Sequence, residues 1–307
     1  MISVVIVTYN SRLHVARCLE SLAASGAEII VVDNASSDGT TEVIRQTFPS
    51  VTLLEAPRNL GFAAAANWGA RQSRGEAVLF LNPDAACRSG LAPLEEVLAS
   101  RPDAAAIAGR LTDAAGRTQV GFNLRRLPTA AALLCELLLL NRIFPNNPVN
   151  RRYRCLDLNH NRAMEVEQPA AACLLVRRKW LEQCGFFDES FFPLWFDDVD
   201  LCLRLRRAGG KILYEPRAVF QHRGGHSAES LTFSERQVYW YRNLLYYVRK
   251  HFPWGMTLVI RAALVVGVGM RALAAVAARG VVLKTAAPNR GEILSAYLRA
   301  AKLAFLG

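Results

Sequence analysis

The chain has 307 residues, of which 52% are hydrophobic and 21% are charged, a balance that excludes an intrinsically disordered protein. This length suits one domain of ordinary size with an extension, and the formal net charge is +11. The seven cysteines are odd in number and contain no C-x-x-C pair, which disfavours a disulfide framework and a structural zinc site.

The first third of the chain alternates predicted strands and helices. Met1 leads directly into a β-branched run, without a basic region or a cleavage site, so we expect no secretory signal and a cytoplasmic protein. Hydrophobic periodicity predicts strand 2–7, helix 14–24, strand 29–32, helix 42–46, strand 51–55, helix 62–72 and strand 77–81. Such alternation indicates an α/β domain with a mostly parallel sheet.

The middle of the chain has a weaker pattern. We predict a helix over 91–99 and a strand over 104–109, and we interpret 110–165 as a variable, partly mobile region. Within it, the apolar run 129–140 is too short to span a bilayer. Periodicity returns in a strand over 168–176, a helix over 179–184 and a helix over 197–208.

The C-terminal segment carries most of the positive charge. Residues 223–307 contain twelve Lys or Arg residues and three acidic residues, interleaved with Trp and Tyr. An apolar helix is predicted over 257–278, but Arg271 would lie well inside the bilayer if that helix crossed a membrane. We therefore prefer a helix that lies on an anionic membrane surface or packs within the protein, while a true span stays open. We expect no nucleic-acid partner.

Polar residues follow the first two predicted strands. Thr8 ends one strand, and Asp33 and Asn34 end the next. A carboxylate at this edge of a parallel sheet can accept hydrogen bonds from a uracil or thymine imide or from a ribose. The alternative is a turn built by Asp33, Asn34 and Asp38.

A loop before the predicted helix 62–72 carries further hydrogen-bond donors. Arg58 and Asn59 precede the helix and Asn67 lies within it, so all three could contact a nucleotide. The alternative is ordinary helix packing with Asn59 as the N-cap.

Asn82, Pro83 and Asp84 follow a buried strand. Because Pro83 fixes its own φ and biases Asn82 toward extended structure, Asp84 is held at the strand end. One fixed carboxylate can complete a Mg²⁺ or Mn²⁺ site when a substrate supplies other oxygen ligands. A simple Asn-Pro-Asp turn is the alternative.

Three acids begin the predicted helix 197–208. Asp197, Asp198 and Asp200 could only cap the helix, or one of them could act as a general base if burial raised its pKa. His222 follows another apolar run and precedes two glycines, so it is either a metal ligand near these acids or a surface histidine.

Seven motifs occur in order along the chain: VTYN (7–10), VVDNASSDGT (31–40), NLGFAAAANWG (59–69), LNPDA (81–85), FFDESFF (186–192), FDDVDLCLRLRRAGG (196–210) and P-x-A-x-x-x-H-x-x-G-x-S (216–227). In this order and spacing the chain resembles the family 2 glycosyltransferases, particularly bacterial rhamnosyltransferase-like members. The resemblance implies a GT-A fold, a nucleoside-diphosphate sugar donor and inversion at the anomeric carbon. It also implies a GT-A catalytic domain over 1–227, with a nucleotide-sugar half (1–105) and an acceptor half (106–227), before a helical extension over 228–307.

The resemblance also implies roles for individual residues. Asp84 matches the last residue of the family's Asp-x-Asp-type metal motif, and His222 matches its downstream histidine. Asp198 matches the aspartate of the Glu-Asp base motif, but Asp197 stands where Glu is usual, so the base is assignable to either. Together with the motifs, the resemblance assigns the nucleotide sugar to Thr8, Asn10, Asp33, Asn34, Arg58, Asn59, Asn67 and Asn82, the last of which replaces the first metal-motif acid.

The sequence therefore predicts an inverting glycosyltransferase of bacterial cell-surface polysaccharide synthesis, at the inner face of the plasma membrane. It would move a sugar, with rhamnose as the first candidate, from a dTDP- or UDP-linked donor to a hydroxyl of a glycan or lipid-linked acceptor. The alternatives are a catalytically silent nucleotide-sugar-binding protein and a transferase with another donor and a soluble acceptor. A dinucleotide dehydrogenase is disfavoured because no G-x-G-x-x-G follows the first strand.

Overall fold

The computed structural model describes residues 1–225, 229–277 and 290–305. It divides the chain into two compact units: the first consists of Met1–Leu127 and Arg154–His226, and the second of Pro128–Tyr153 and Ser227–Gly307. Ser227, which ends the last sequence motif, and Ala278, which ends the predicted apolar helix, lie outside the described residues.

One large sheet forms the core of the first unit. The strands are, in chain order, β1 (Ile2–Thr8), β2 (Glu28–Asp33), β3 (Thr52–Glu55), β4 (Ala77–Leu81), β5 (Ala85–Cys87), β6 (Ala104–Thr112), β7 (Leu124–Arg125), β8 (Met164–Glu165), β9 (Gln168–Pro169), β10 (Cys173–Arg177) and β11 (Lys211–His222). The order in the sheet is β3-β2-β1-β4-β10-β6-β11-β5, with β8 beside β11, while β7 and β9 pair separately.

The direction of the strands follows the predicted pattern over most of the sheet. β3, β2, β1 and β4 are parallel neighbours, and β11 is parallel to β6. β10 lies antiparallel between β4 and β6, and β5 lies antiparallel to β11. The mostly parallel sheet with its flanking helices confirms the predicted α/β class.

Helices cover the sheet and make up the second unit. They are α1 (Arg12–Glu20), α2 (Thr40–Thr47), α3 (Phe62–Gln72), α4 (Ala92–Ser100), α5 (Ala130–Leu137), α6 (Leu140–Ile143), α7 (Pro148–Tyr153), α8 (Arg178–Gln183), α9 (Asp197–Arg207), α10 (Phe233–His251), α11 (Trp254–Ala277) and α12 (Arg290–Leu303). Of these, α5–α7 and α10–α12 belong to the second unit.

Small residues bring α3 close to the sheet. A Cβ atom added to Gly69 would lie 2.6 Å from Cγ1 of Val5 on β1, which leaves room only for glycine. Ala63, Ala66 and Ala70 of the same helix are buried in one cluster with Val5. This close packing fixes the loop before α3 next to the ends of β1 and β2.

The boundary between the units differs from the predicted one. The sequence assigned all of 106–227 to the catalytic domain, whereas the structure places Pro128–Tyr153 in the second unit. The physical reason is that the apolar run at 129–140 forms α5, which packs against α11: a Cβ on Gly267 would lie 2.0 Å from the carbonyl oxygen of Leu137. The weak pattern over 110–165 thus includes three helices, α5–α7.

The two arginines of α11 are bonded to backbone carbonyl oxygens. Arg271 donates from Nη2 to Glu136 at 2.9 Å and from Nη1 to Leu137 at 2.5 Å. Arg261 donates from Nε to Ala304 at 2.7 Å. These bonds pair both charges with the last turns of other helices of the second unit, where carbonyl dipoles favour cations. Within the described part of the chain, the segment Trp254–Val276 is the one helix long and apolar enough to cross a membrane.

Candidate active site

The ends of β1 and β2 hold a buried hydrogen-bond network. Oγ1 of Thr8 donates to the carboxylate of Asp33 at 2.8 Å, and the backbone N–H and hydroxyl of Ser36 donate to the same carboxylate at 2.9 and 2.6 Å. Asn10 joins through its backbone N–H, which donates to Ser36 Oγ at 2.8 Å. The structure thus brings Thr8, Asn10 and Asp33 together, and the turn after Asp33, which the sequence left as an alternative, is also present.

A second network continues along this edge of the sheet. Oδ1 of Asn34 accepts from the backbone N–H of Leu60 at 2.7 Å, and its Nδ2 donates to Oδ1 of Asn59 at 3.0 Å. Asn59 is not the N-cap of α3, because that position belongs to Gly61. Arg58 is exposed beside this network. Asn34 and Asn59 therefore hold the loop, and Arg58 presents a cation at the same edge.

Asn67 has a different place from the one predicted. Its side chain is fully buried, and its amide exchanges two 2.9 Å hydrogen bonds with the backbone of Phe187. It also donates to Glu189 at 2.9 Å. Because these partners occupy the amide and tie α3 to the loop after α8, we withdraw Asn67 from the nucleotide-binding set.

Asp84 and His222 face each other across the ends of β4 and β11. Oδ1 of Asp84 lies 3.5 Å from Nε2 of His222, and both side chains are almost fully buried, at 3% and 1% exposure. Oδ2 of Asp84 accepts from the backbone N–H of Gly224 at 3.0 Å. Nδ2 of Asn82 lies 3.4 Å from the same imidazole nitrogen. His222 is thus not a surface histidine, and three predicted site residues meet at one point.

Gln119 and Phe122 hold the imidazole of His222. Nε2 of Gln119 donates to the backbone oxygen of His222 at 2.8 Å, which turns its Oε1 toward Nδ1 of the ring at 2.9 Å. Nδ1 therefore carries the proton, and the lone pair of Nε2 points toward Asp84. Phe122 stacks on the ring at 5.3 Å between centroids. Burial lowers the pKa of His222, although Asp84 opposes this, which favours the neutral ring that a metal requires.

The donor set at this point fits a divalent cation only in part. Across the described residues, no group of three or more His, Cys, Asp and Glu side chains is arranged to hold a metal ion. Asp84 and His222 offer one oxygen and one nitrogen, with the imidazole tautomer already fixed. Two such groups suit Mg²⁺ or Mn²⁺ when substrate oxygens and waters supply the rest of the coordination.

The acids at the start of α9 have different environments. Asp200 is fully buried and paired with Nε of Arg204 at 2.7 Å, so it has a structural role. Asp197 is 5% exposed, and burial first and the neighbouring charge of Asp198 second raise its pKa well above the usual range. Asp198 is half-buried; burial raises its pKa, while the N–H of Ala171 and the charge of Arg125 oppose the increase. Asp198 is the more accessible of the two candidate bases.

The segment before β10 links the two groups of acids. The carbonyl oxygen of Ala172 accepts from the backbone N–H of Asn82 at 3.1 Å. The adjacent N–H of Ala171 donates to Oδ2 of Asp198 at 3.3 Å. Gln168 donates to the same carboxylate oxygen at 3.3 Å. Asp198 and the Asn82–Asp84 turn are thus both hydrogen-bonded to Ala171 and Ala172, the two residues just before β10.

A cavity of about 660 Å³ adjoins the Asp84–His222 pair. His14 and Arg17 of α1, together with Arg223, form part of its wall. The cavity is therefore lined by basic side chains next to the candidate metal ligands.

Four residues around the site were missed by sequence reasoning. Gln119 and Phe122 support His222, whereas Gln168 and Arg125 lie beside Asp198. Gln119 and His222 are 103 positions apart, so no local pattern could connect them. The pairing of Arg125 with Gln168 between β7 and β9 depends on two-residue strands, which leave no periodicity to detect.

Comparison with known proteins gives a consistent result. Residues 3–185 match the protein-family model described as glycosyl transferase family 2. The chain is 30% identical over 273 residues to N-acetylglucosaminyl-diphospho-decaprenol L-rhamnosyltransferase of Mycobacterium tuberculosis, and the alignment covers 83% of this chain and 86% of that protein.

Solved structures show a similar fold. The mannosyltransferase PcManGT from Pyrobaculum calidifontis, in complex with GDP-Man and Mn²⁺, matches with a TM-score of 0.55 and 18% identity over 99% of this chain and 87% of its own. GalNAc-T7 with UDP, GalNAc and Mn²⁺ matches with a TM-score of 0.56 and 17% identity over 81% of this chain and 47% of its own. The chain thus spans about half of GalNAc-T7, and at these identities the likeness concerns the fold alone.

Proposed function

Since this chain belongs to glycosyl transferase family 2 and is a glycosyltransferase, we propose that it transfers a sugar with inversion from a nucleoside-diphosphate donor to an acceptor hydroxyl. The name of the mycobacterial relative supports rhamnose as the sugar and a lipid-linked diphosphate sugar as the acceptor. A dTDP-linked rhamnose is the donor we favour, and UDP-sugars are the next to test. The reaction would serve bacterial cell-surface polysaccharide synthesis.

The observation that carries the proposal is that Ala171 and Ala172, just before β10, hydrogen-bond to both parts of the site. Ala171 binds Asp198 and Ala172 binds Asn82, so a basic carboxylate and the metal-binding turn are held next to one another. An inverting displacement needs this arrangement, because a base must deprotonate the acceptor on one side of the sugar while the diphosphate departs on the other.

Each part of the site then has a role in a single displacement. Thr8 and Asp33 bind the nucleoside at the ends of β1 and β2, beside the loop that Asn34 and Asn59 hold in place. Asp84 and His222 would hold Mg²⁺ or Mn²⁺, which when bound supplies positive charge to the departing diphosphate. Asp198 accepts the proton of the acceptor hydroxyl while the oxygen of that hydroxyl attacks the anomeric carbon of the donor sugar.

The proposal is tested by incubating the purified chain with dTDP-rhamnose and with a panel of UDP-sugars, each with Mn²⁺ and a prenyl-diphosphate-linked N-acetylglucosamine. We expect a glycosylated acceptor whose anomeric configuration, read by NMR, is opposite to that of the donor. A retained configuration would contradict inversion. If the donors bind but no donor is consumed under any condition, the chain is a nucleotide-sugar-binding protein instead.

We also propose that the second unit docks on the anionic inner face of the plasma membrane. Large apolar side chains are exposed on α11, among them Trp254 at 77% and Leu273 at 71%. Arg249 and Lys250 are exposed at the end of α10. Apolar groups next to cations suit an interfacial position, and the carbonyl bonds of Arg261 and Arg271 keep those charges within the protein.

Replacing Trp254 and Leu273 together by Ser is expected to weaken binding to anionic vesicles by about 100-fold or more, since each buried side chain contributes about 1.5–3 kcal/mol and each 1.4 kcal/mol is a factor of ten. Sedimentation with vesicles measures the effect. Leu13→Ser, which changes a leucine of the first unit that is 87% exposed, serves as the control. Equal binding of both variants would contradict the docking face, and retention of the wild-type chain in membranes after alkaline carbonate extraction would favour a span over docking.

A further inference from the structure

Two arginines beside the cavity share one neutral acceptor. Oε1 of Gln221 accepts from Nη2 of Arg17, and it also accepts from Arg88 through Nη2 and, at 3.2 Å, through Nε. Neither arginine forms an ion pair with a carboxylate of the described residues. Two like charges that converge on an uncharged oxygen repel each other, and an anion between them would remove the repulsion.

A third guanidinium group faces the same cavity. Nη1 of Arg223 lies 3.0 Å from Nε2 of His14, and within the described ranges it has no carboxylate partner. Arg223, His14, Arg17 and Gln221 all line the cavity. Its wall therefore has more positive charge than its own residues neutralise.

The acids of the cavity do not supply the missing charge. Asp113 is paired with Arg117 at 2.8 Å and accepts backbone N–H groups as well. Asp84 is directed to the backbone N–H of Gly224 and to His222. Both carboxylates are thus occupied by partners other than the three arginines.

Two exposed arginines elsewhere in the first unit are paired with carboxylates. Arg45 forms an ion pair with Glu55, and Arg101 forms one with Asp103 at 3.0 Å. These two ion-paired arginines differ from Arg17 and Arg88, which both donate to one uncharged amide oxygen.

We propose that the cavity binds the diphosphate group of a substrate, with Arg17 and Arg223 of its wall and Arg88, which shares Gln221 with Arg17, as hydrogen-bond donors. The planar guanidinium fork matches phosphate oxygens with paired hydrogen bonds, and several such groups suit a ligand with two phosphates. The inference rests on the proposed function, because a diphosphate belongs both to the nucleotide donor and to a prenyl-diphosphate-linked acceptor. It assigns a binding role to α1 and to the end of β5, which the sequence motifs do not include.

The first experiment measures binding of inorganic diphosphate to the full chain by calorimetry, in EDTA so that no metal contributes. We expect binding by the wild-type chain and an affinity at least about tenfold lower in the double variant Arg17→Gln/Arg88→Gln. The matched control Arg45→Gln/Arg101→Gln removes two exposed charges from ion pairs and should keep the wild-type affinity. Absence of binding to the wild type, or equal losses in both double variants, would overturn the inference.

The second experiment identifies the source of the diphosphate. In the transfer assay, a higher KM for the donor with an unchanged KM for the acceptor assigns the cavity to the nucleotide sugar, and the reverse assigns it to the lipid-linked acceptor. Unchanged KM values for both would overturn the inference. Arg223→Gln provides an independent variant if the double variant is unstable. A chain that binds diphosphate but transfers no sugar would contradict the proposed function and leave this site supported.

Discussion

Replacing Asp198 by Asn is expected to lower the rate of sugar transfer by a factor of about 10²–10⁴, which is the usual contribution of a general base. Asn keeps the shape of the side chain, and its one oxygen can still accept from the N–H of Val199 at the start of α9, so the helix start should be preserved while the N–H of Ala171 loses its acceptor. Donor affinity, measured by calorimetry, should change by less than about twofold. The comparison of kcat with donor affinity therefore separates a base from a binding residue.

The pH dependence of the wild-type enzyme is a second test of Asp198 as the general base. Asp198 accepts a proton only when ionised, and burial raises its pKa from the ordinary value of 3.8. The ionised fraction then decreases at a higher pH than for an exposed aspartate, so kcat/KM should fall as the pH is lowered, and this fall should begin at a higher pH than an exposed aspartate would cause. The Asn variant should lack this limb.

Two further variants test whether Asp198, and no other aspartate, is the general base. Asp157→Asn removes a half-exposed carboxylate that pairs with Arg126, and it should leave transfer unchanged. Asp197→Asn should retain most activity if Asp198 is the base, because Asp197 is the less accessible of the pair. A loss in Asp197→Asn with activity kept in Asp198→Asn would reverse the assignment, and equal loss of transfer and donor binding in Asp198→Asn would make that residue structural.

Replacing Asp84 by Asn is expected to weaken Mn²⁺ binding and to reduce transfer by at least about 100-fold. The reason is that charge stabilisation of a departing diphosphate is worth several kcal/mol, and each 1.4 kcal/mol is a factor of ten. Asn still accepts from Gly224, so the turn should keep its conformation. Electron paramagnetic resonance of free Mn²⁺ measures the affinity independently of turnover.

The control for this variant lies in the same cavity. Asp113→Asn removes a carboxylate that also lines the cavity but is paired with Arg117, so Mn²⁺ affinity should be unchanged. Wild-type Mn²⁺ affinity in Asp84→Asn would exclude Asp84 as a ligand. Wild-type activity in EDTA would show that the reaction needs no metal.

The sequence was sufficient for elements that are stabilised by their own composition. The apolar runs at 2–7 and 29–32 become β1 and β2, and the helix predicted over 197–208 is α9. These segments combine a clear hydrophobic period with end signals, so local physics fixes them. The family resemblance was confirmed because its motifs combine such strands with polar residues at their ends.

Features that depend on distant partners could not be predicted in the same way. The position of β10 between β4 and β6 is set by pairing across the sheet, and α5 belongs with α11 because its apolar face packs there. Asn67 matched a motif, yet its burial against Phe187 can be seen only in three dimensions. Local patterns thus indicated which residues carry chemistry, and tertiary contacts determined which of them meet.

The division of the second unit between two chain segments affects how the protein is made. α5 leaves the ribosome about 120 residues before α11, against which it packs in the finished molecule. At a synthesis rate of about 5–20 residues per second, the apolar face of α5 stays uncovered for roughly 6–24 s before α11 has been synthesised. During this interval the nascent polypeptide exposes an apolar helix that promotes aggregation. Chaperone binding or early contact with lipid would protect this helix while translation continues.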